Sequence, residues 1–404
     1  MKKINDISEV FNINKLKGKN VLFLQGPLGN FFKNTIMDLE SNGVGRCYQL
    51  VLNQGDRFYS KKKNRIEYRG KIKSFDNWIS DVYEEKSIDY IFLLGDSRMY
   101  HKKAIKRAKE KNIKIYVFEE GYFRPNFITL EKGGVNNNSS LPREKDFYLD
   151  LDLEKIKEEN IGKQVEIASP KRGMCISAMI YYILMYVYSK RFKNYKHHRT
   201  RSPWFEFYYG IKSYMKRYIN MITERDLVSI LKEKNKRFFL VILQVREDFQ
   251  VREHSDFRSI EHYIEDVLVS FKENNKNKDE ILVIKHHPMD RGKVDYRSFI
   301  DEVCFHIKLN PEKVIYFYDI NLPKILKYTK GCVTINSTVG LQALYHNIPT
   351  KVIGRAVYDF EGLTDQKGLD DFWDSPKGPN KELYDRYREY LINKTQVTGS
   401  FYIK

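Results

Sequence analysis

Eight short apolar runs, each breaking off at a glycine, an acid or a polar turn, constrain this chain more than any other feature. Three come early, NVLFLQG (20–26), DYIFLLGD (89–96) and IKIYVFEEG (113–121). Five come later, RFFLVILQVRED (237–248), DEILVIKHHPMD (279–290), EKVIYFYD (312–319), GCVTINSTVG (331–340) and PTKVIG (349–354). Runs apolar on both faces read as buried strands of parallel sheets. SRMYHKKAIKRAKEKN (97–112) is a helix-favouring connection of the length a parallel crossover needs. The expectation is an α/β chain with two wound domains, and 404 residues are enough for two cores.

Between the two series, over 166–236, the composition turns to tyrosine, lysine and arginine. The uncharged run GMCISAMIYYILMYVYS (173–189) places Ile176, Met179, Ile180, Ile183, Leu184 and Val187 at helical spacing. Three readings stay open for it: a helix at a bilayer interface, a core or interdomain helix, and a membrane span at the short limit of length. Residues 190–237 hold fourteen Lys/Arg against four Asp/Glu, a large share of the net charge of +18. Such an excess calls for an anionic partner, and beside an aromatic helix it favours anionic lipid headgroups over a merely solvated face.

Other features narrow the class. The four cysteines, Cys47, Cys175, Cys304 and Cys332, lie far apart without a CxxC, which argues against a disulfide framework or a thiolate metal site and fits a reducing cytoplasm. MKKINDISEVFNINKLKGKN has no apolar core after its lysines, so a secretory signal is not expected. GPLGN (26–30) is not a phosphate-binding GxxxxGK[ST] loop, although Gly26 and Gly29 allow backbone to approach a ligand. No pattern of a nucleic-acid-binding module accompanies the basic stretch.

Four constellations sit where strands should end, the place where wound α/β folds bind ligands. Glu119-Glu120-Gly121, with Arg124, sets a carboxylate on a sharp turn where it can act as a general base. Gln244 and Asp248 of LQVREDFQV offer a carboxylate that can attack an electrophilic carbon or orient a ligand. In VIKHHPMD, Pro288 fixes a turn at which Lys285 and His287 can converge on a phosphate. Ser337, Thr338 and Gly340 begin a helix whose free N–H groups suit an anion. Each has a plainer alternative: an acidic turn, a solvated loop, a structural histidine, a good helix cap.

Together the four motifs, with FEEGYFRPNFITLE, GVN, LPR and the ending TGSFY, resemble the bacterial capsular-polysaccharide β-Kdo transferases, in particular the single-module starter enzymes of the KpsS/LipB type. The acid-acid-Gly, His-Pro and Ser/Thr motifs are shared in outline with bacterial sialyltransferases. The resemblance implies a GT-B-like fold with two Rossmann-type domains: an acceptor-side domain at 1–165, a helical membrane-associating segment at 166–236, a CMP-sugar domain at 237–375 and a C-terminal helical segment at 376–404 packing back on the domains. It implies retaining transfer of Kdo from CMP-β-Kdo to phosphatidylglycerol or its lyso form, starting the lipid-linked poly-Kdo linker of a capsule. No cofactor and no metal is implied. Asp248 becomes the catalytic nucleophile and Glu119 or Glu120 the base. Gln244, Lys285, His287, Pro288, Ser337, Thr338 and Gly340 become the donor site, while Arg124 or Lys285 faces the sugar carboxylate and Gly26 and Gly29 lie on the acceptor side. The acidic side chains are expected to flank the sugar from two lobes. EGLTDQ (361–366) resembles a closing tract near the sugar. Implied partners are the inner-membrane surface, the chain-extending Kdo transferase and the capsule export machinery, with no nucleic acid. Two rivals stay open, an inverting sialyltransferase-like enzyme and a non-catalytic membrane adaptor.

Overall fold

The computed structural model describes residues 5–152, 154–156, 171–197, 203–246, 251, 255–275 and 279–402. The chain forms two compact units. The first comprises Met1–Leu141, Asp152–Pro203 and Arg388–Lys404, and the second Pro142–Leu151 and Trp204–Tyr387. The segment expected as a separate element over 166–236 is therefore divided: a helix over Lys171–Val187 belongs to the first unit, and helices over Pro203–Thr223 and Leu227–Glu233 to the second. The expected C-terminal segment is divided as well, since residues through Tyr387 belong to the second unit and those from Arg388 to the first. Among the described residues, no helix is long and apolar enough to cross a membrane.

The first unit carries a seven-stranded sheet in the order β12-β6-β5-β4-β1-β2-β3. Its strands are β1 (Val21–Leu24), β2 (Cys47–Val51), β3 (Arg65–Glu67), β4 (Tyr90–Leu94), β5 (Lys114–Glu120), β6 (Phe127–Lys132) and β12 (Gln396–Thr398). From β3 to β5 neighbours run parallel, whereas β6 and β12 are antiparallel additions at one edge. The reason β1 and β4 are so apolar is that both faces are covered. Tyr100 and Ala104 of the Met99–Glu110 helix pack on Leu22, Leu93 and Val117, and Phe31, Phe32 and Ile36 of the Phe31–Ser41 helix pack on Phe23, Phe92 and Phe118.

The second unit carries an all-parallel sheet ordered β11-β10-β7-β8-β9, from β7 (Phe238–Ile242), β8 (Ile281–Lys285), β9 (Val314–Phe317), β10 (Gly331–Thr334) and β11 (Thr350–Val352). Tyr263 and Val267 of the Ile260–Asn274 helix cover one face, and Leu231, Ile325 and Ala343 the other.

Both units share one winding rule. The first strand lies centrally, the next two extend one way, and the fourth and fifth extend the other, the order of a doubly wound dinucleotide-binding sheet without its sixth parallel strand. The direction of winding reverses between β1 and β4 and between β7 and β10. Ligands of such sheets bind beyond the carboxyl ends of the strands at that reversal. The residues that follow β1 and β4 (Gln25 to Gly29, Gly95 to Arg98) and β7 and β10 (Gln244, Asn336 to Thr338) occupy those positions.

Candidate active-site residues at two strand edges

In the first unit the acid pair is split by the pleat. Side chains alternate along a strand, so Glu119 shares the face of Val117 and Glu120 the opposite face with Phe118. They are adjacent in sequence without acting as a dyad. Glu119 turns toward β4, where its Oε2 lies 3.5 Å from where a side chain on Gly95 would begin, and its Oε1 accepts the Glu120 N–H at 3.0 Å. Burial pushes the Glu119 carboxyl up to about 7, with the charge of Glu120 adding to the rise and Arg124 and Arg98 opposing it. A carboxyl titrating near neutrality at a strand end has the proton affinity a general base needs.

Gly121 is required by space, since a Cβ there would sit 2.1 Å from the Phe127 carbonyl oxygen where the chain folds from β5 back into β6. Arg124 lies on that exposed turn and donates from Nε to the Gly121 carbonyl at 3.2 Å. Sequence reasoning missed Asp96. Its carboxylate accepts the Val135 N–H at 3.1 Å and the Asn138 Nδ2–H at 3.1 Å, fixing the GVN turn beside the β4 end. The signal was present, because Asp96 closes an apolar run as Glu119 does. Arg98, whose charge reaches Glu119, was missed too.

The GPLGN turn follows Gln25. Gly29 has φ +143, a conformation that favours glycine, and faces Ser177 of the Lys171–Val187 helix, while Gly26 lies against the Phe32 ring. Beneath the turn, a buried polar network centres on Asp56. Its Oδ2 accepts from Leu52 N at 3.0 Å, Asn53 Nδ2 at 3.0 Å and Gln25 Nε2 at 3.3 Å, and its Oδ1 accepts the Tyr181 hydroxyl at 2.8 Å. Gln25 also donates to the Tyr195 hydroxyl at 2.8 Å. Burial outweighs these donors and pushes the Asp56 carboxyl up to about 6.

In the second unit the ends of three neighbouring strands, β8, β7 and β10, carry the remaining candidates. Gln244 is engaged across the reversal point: its Nε2 donates to Asn336 Oδ1 at 2.8 Å, and the Asn336 N–H donates to its Oε1 at 3.1 Å. It ties the β7 end to the Ser337 turn. Asp248 lies outside the described residues. Asp290 ties the neighbouring pair of loops, accepting the Arg246 N–H on Oδ2 at 2.6 Å while its own N–H donates to the His287 carbonyl at 3.0 Å.

The two histidines divide the roles that the sequence left open. His286 is buried among Tyr296, Tyr316 and Tyr318, its Nδ1 2.7 Å from the Tyr316 hydroxyl, and burial lowers it to about 4. It is the structural histidine. His287 is half-buried on the turn, and its Nδ1 accepts the Met289 N–H at 3.2 Å, with Pro288 exposed beside it. Lys285 does not join it. Its ammonium points inward to the His286 and Tyr318 carbonyls at 3.1 and 3.3 Å, and burial lowers it to about 8.

At the β10 end the Ser337 Oγ accepts the Val339 N–H at 3.2 Å, and the Ser337 N–H donates to Thr334 Oγ1 at 3.2 Å. Thr338 stands at the cap of the short Val339–Tyr345 helix with no capping bond from its side chain. Gly340 serves packing: a Cβ would lie 2.3 Å from the Tyr358 hydroxyl, which donates to the Ser337 carbonyl. Gly340→Ala is therefore expected to displace Tyr358 and the Ser337 turn together, lowering stability by about 1–3 kcal/mol in thermal melts. In the EGLTDQ tract Thr364 donates to Asp359, just before it, at 2.7 Å, and Gln366 donates to Thr364 at 2.7 Å.

Comparison with known proteins assigns the chain. The family model described as "Capsule polysaccharide biosynthesis protein" matches residues 89–402. The Escherichia coli "Capsule polysaccharide export protein KpsS" is 40% identical over 96% of this chain and 98% of its own length. The "Capsule polysaccharide modification protein LipB" of Neisseria meningitidis serogroup B is 38% identical over 95% of this chain and 92% of its own length. Among solved structures, the Thermosulfurimonas dismutans KpsC beta Kdo 2,7 transferase is 13% identical, with a TM-score of 0.40, over 91% of this chain and 89% of that one. On the family model and these two relatives, the chain belongs to the capsule polysaccharide biosynthesis protein family.

Proposed function

We propose that the protein is a glycosyltransferase of GT-B type that moves Kdo from CMP-β-Kdo to a phosphatidylglycerol-type lipid, with retention of configuration, at the start of a capsule linker. The observation that carries the reading is Glu119, a half-buried carboxyl raised to about 7 at the end of a strand of the first sheet, in a chain whose second unit presents polar groups at the ends of its own strands. In this reading the first unit supplies the acceptor base and the second holds the donor.

The CMP phosphate is assigned to Ser337, Thr338 and His287, with Gln244 acting through Asn336 to hold the Ser337 turn. The Asp248 carboxylate attacks C2 of Kdo while the C2–O bond to phosphate breaks and CMP departs with its electron pair. The acceptor hydroxyl then gives its proton to Glu119 as its oxygen bonds to C2, and the ester bond to Asp248 breaks. Two inversions leave the configuration retained. Of the two candidates for the Kdo carboxylate, Arg124 and Lys285, the inward turn of Lys285 favours Arg124.

The test is incubation of purified protein with CMP-Kdo and a fluorescent phosphatidylglycerol analogue, with intact-mass measurement of Glu119→Gln in the absence of acceptor. Labelled lipid carrying β-linked Kdo, a Kdo-protein adduct in the variant and loss of both in Asp248→Ala are expected. Retained product with no adduct and substantial turnover by Asp248→Ala would overturn the two-step route. Transfer from CMP-sialic acid with inversion would install the sialyltransferase-like alternative.

A further inference from the structure

Two helices, one in each unit, have their polarity reversed relative to a helix of a protein bathed in water. In the second unit, the inward stripe of the Pro203–Thr223 helix is polar and runs through Ser213, Lys216 and Asn220. Asn220, 8% exposed, donates to Asp319 at 2.7 Å, and Asp319 is also paired with Arg291. Arg291 reaches Ser213 at 3.3 Å, and Gly292 lies against the backbone of Tyr209 and Ser213. Just past the helix, Glu224 accepts the N–H groups of Tyr318 and Asp319. The outward stripe of the same helix is apolar. Phe205, Tyr208, Ile211, Met215, Tyr218 and Ile222 face solvent, Ile222 at 77%.

The Lys171–Val187 helix of the first unit repeats the pattern. Gly173, Ser177 and Tyr181 face inward, with Tyr181 4% exposed, bonded to Asp56 and pressed against Gly55. The Ser177 carbonyl accepts the Tyr59 hydroxyl at 3.2 Å. Outward lie Ile176, Met179, Ile183, Tyr186 and Val187, Val187 at 63% exposure.

A water-facing helix places its apolar stripe on the core. Here hydrogen bonds hold the inner faces, and the outer faces are the ones that gain by leaving water. Exposed Lys212 and Arg217 on one helix, and exposed Lys190 and Arg191 just after the other, sit beside apolar and tyrosine side chains, the composition of a helix lying in a lipid headgroup region. Over 190–237 the sequence holds fourteen Lys/Arg against four Asp/Glu, an excess of the sign that anionic headgroups attract.

We propose that the outward faces of both helices seat in the acyl–headgroup boundary of an anionic bilayer, so that each unit is anchored by its own helix. The inner contacts give this anchoring a purpose. The first helix holds the Gln25–Gly29 turn through Asp56 and Ser177, and the second holds the β9 end and the turn after His287 through Asp319 and Arg291. Each anchor thereby fixes the strand-end loops of its own unit, whatever sugar is transferred.

The experiment is flotation of the full-length protein with phosphatidylcholine vesicles, and with vesicles also containing phosphatidylglycerol, in the absence of any donor sugar. Strong binding to the anionic vesicles and weak binding to the neutral ones is expected. Ile222→Glu and Ile183→Glu should each weaken partitioning by roughly tenfold or more without lowering the melting temperature, since both side chains face outward. Arg217→Glu should reduce the preference for phosphatidylglycerol by roughly tenfold. Absence of wild-type binding to either vesicle, flotation of the Glu variants like wild type, or burial of both faces in a stable dimer would overturn the proposal. Vesicle binding without Kdo transfer leaves this inference standing and removes the proposed function. Transfer to a soluble short-chain acceptor without vesicle binding does the reverse.

Discussion

Glu119→Gln is expected to lower the rate of Kdo transfer at pH 8 by about 100- to 10,000-fold, the usual contribution of a general base. Glu120→Gln, altered on the opposite face of β5, should change it by only a small factor. The pH profile supplies a second criterion. The base must be ionised, so wild-type activity should fall by about tenfold per pH unit below about 7, the value to which burial raises Glu119, and residual activity of the variant should lack that limb. Stability should move the other way. A carboxyl whose pKa is higher folded than unfolded keeps its proton longer in the native state, so it costs stability as pH rises from about 4.5 through about 7. The neutral Gln removes that cost, up to about 3 kcal/mol above neutrality, while retaining an oxygen for the Glu120 N–H. A variant that melts higher than wild type at pH 8, with that advantage shrinking toward zero by pH 5, yet transfers almost nothing, is the combined signature. Equal activity of Glu119→Gln and wild type would remove Glu119 from the mechanism.

Asp56→Ala should be the most destabilising single change in the first unit, costing about 3–5 kcal/mol, because it strands four buried donors at once. Thermal melts read the loss, and limited proteolysis within the Lys171–Val187 helix reads its local consequence, since the Tyr181 hydroxyl loses its acceptor. Tyr181→Phe, which deletes one hydroxyl and keeps the ring on Gly55, should cost only about 1–2 kcal/mol. Equal costs for the two changes would show that ring packing, not the carboxylate, holds the helix.

The eight apolar runs all proved to be strands, because a strand covered on both faces has to write its burial into nearly every residue. Four strands escaped notice, and one of them, β2, is buried throughout although Gln49 interrupts its apolar run. In β12, Gln396 is fully buried yet polar, accepting the Tyr122 N–H at 3.0 Å and donating to Thr129 at 3.1 Å. The edge strand β3 is half-exposed throughout, and β6 read as part of a motif instead of the return of a hairpin. Positions at strand ends were legible for the same reason the strands were, and this placed Glu119, Gln244, His287 and Ser337 at their sheet edges. Their partners were not. Nothing in a one-dimensional reading joins Gln244 to Asn336 or Asp56 to Tyr181, and the inward turn of Lys285 depends in part on the Tyr318 carbonyl just past β9. The opposite facing of Glu119 and Glu120 did follow from period-two alternation, once both were known to lie inside β5 rather than on a turn.

Because residues 388–404 complete the first unit after the whole of the second has been translated, the order of synthesis and the order of completion are crossed. A nascent chain carries β6 with its outer hydrogen-bonding edge open while Trp204–Tyr387 is being made, and only the arrival of β12 closes it. Chains truncated before Arg388 should therefore contain a folded second unit and an unfinished, aggregation-prone first one.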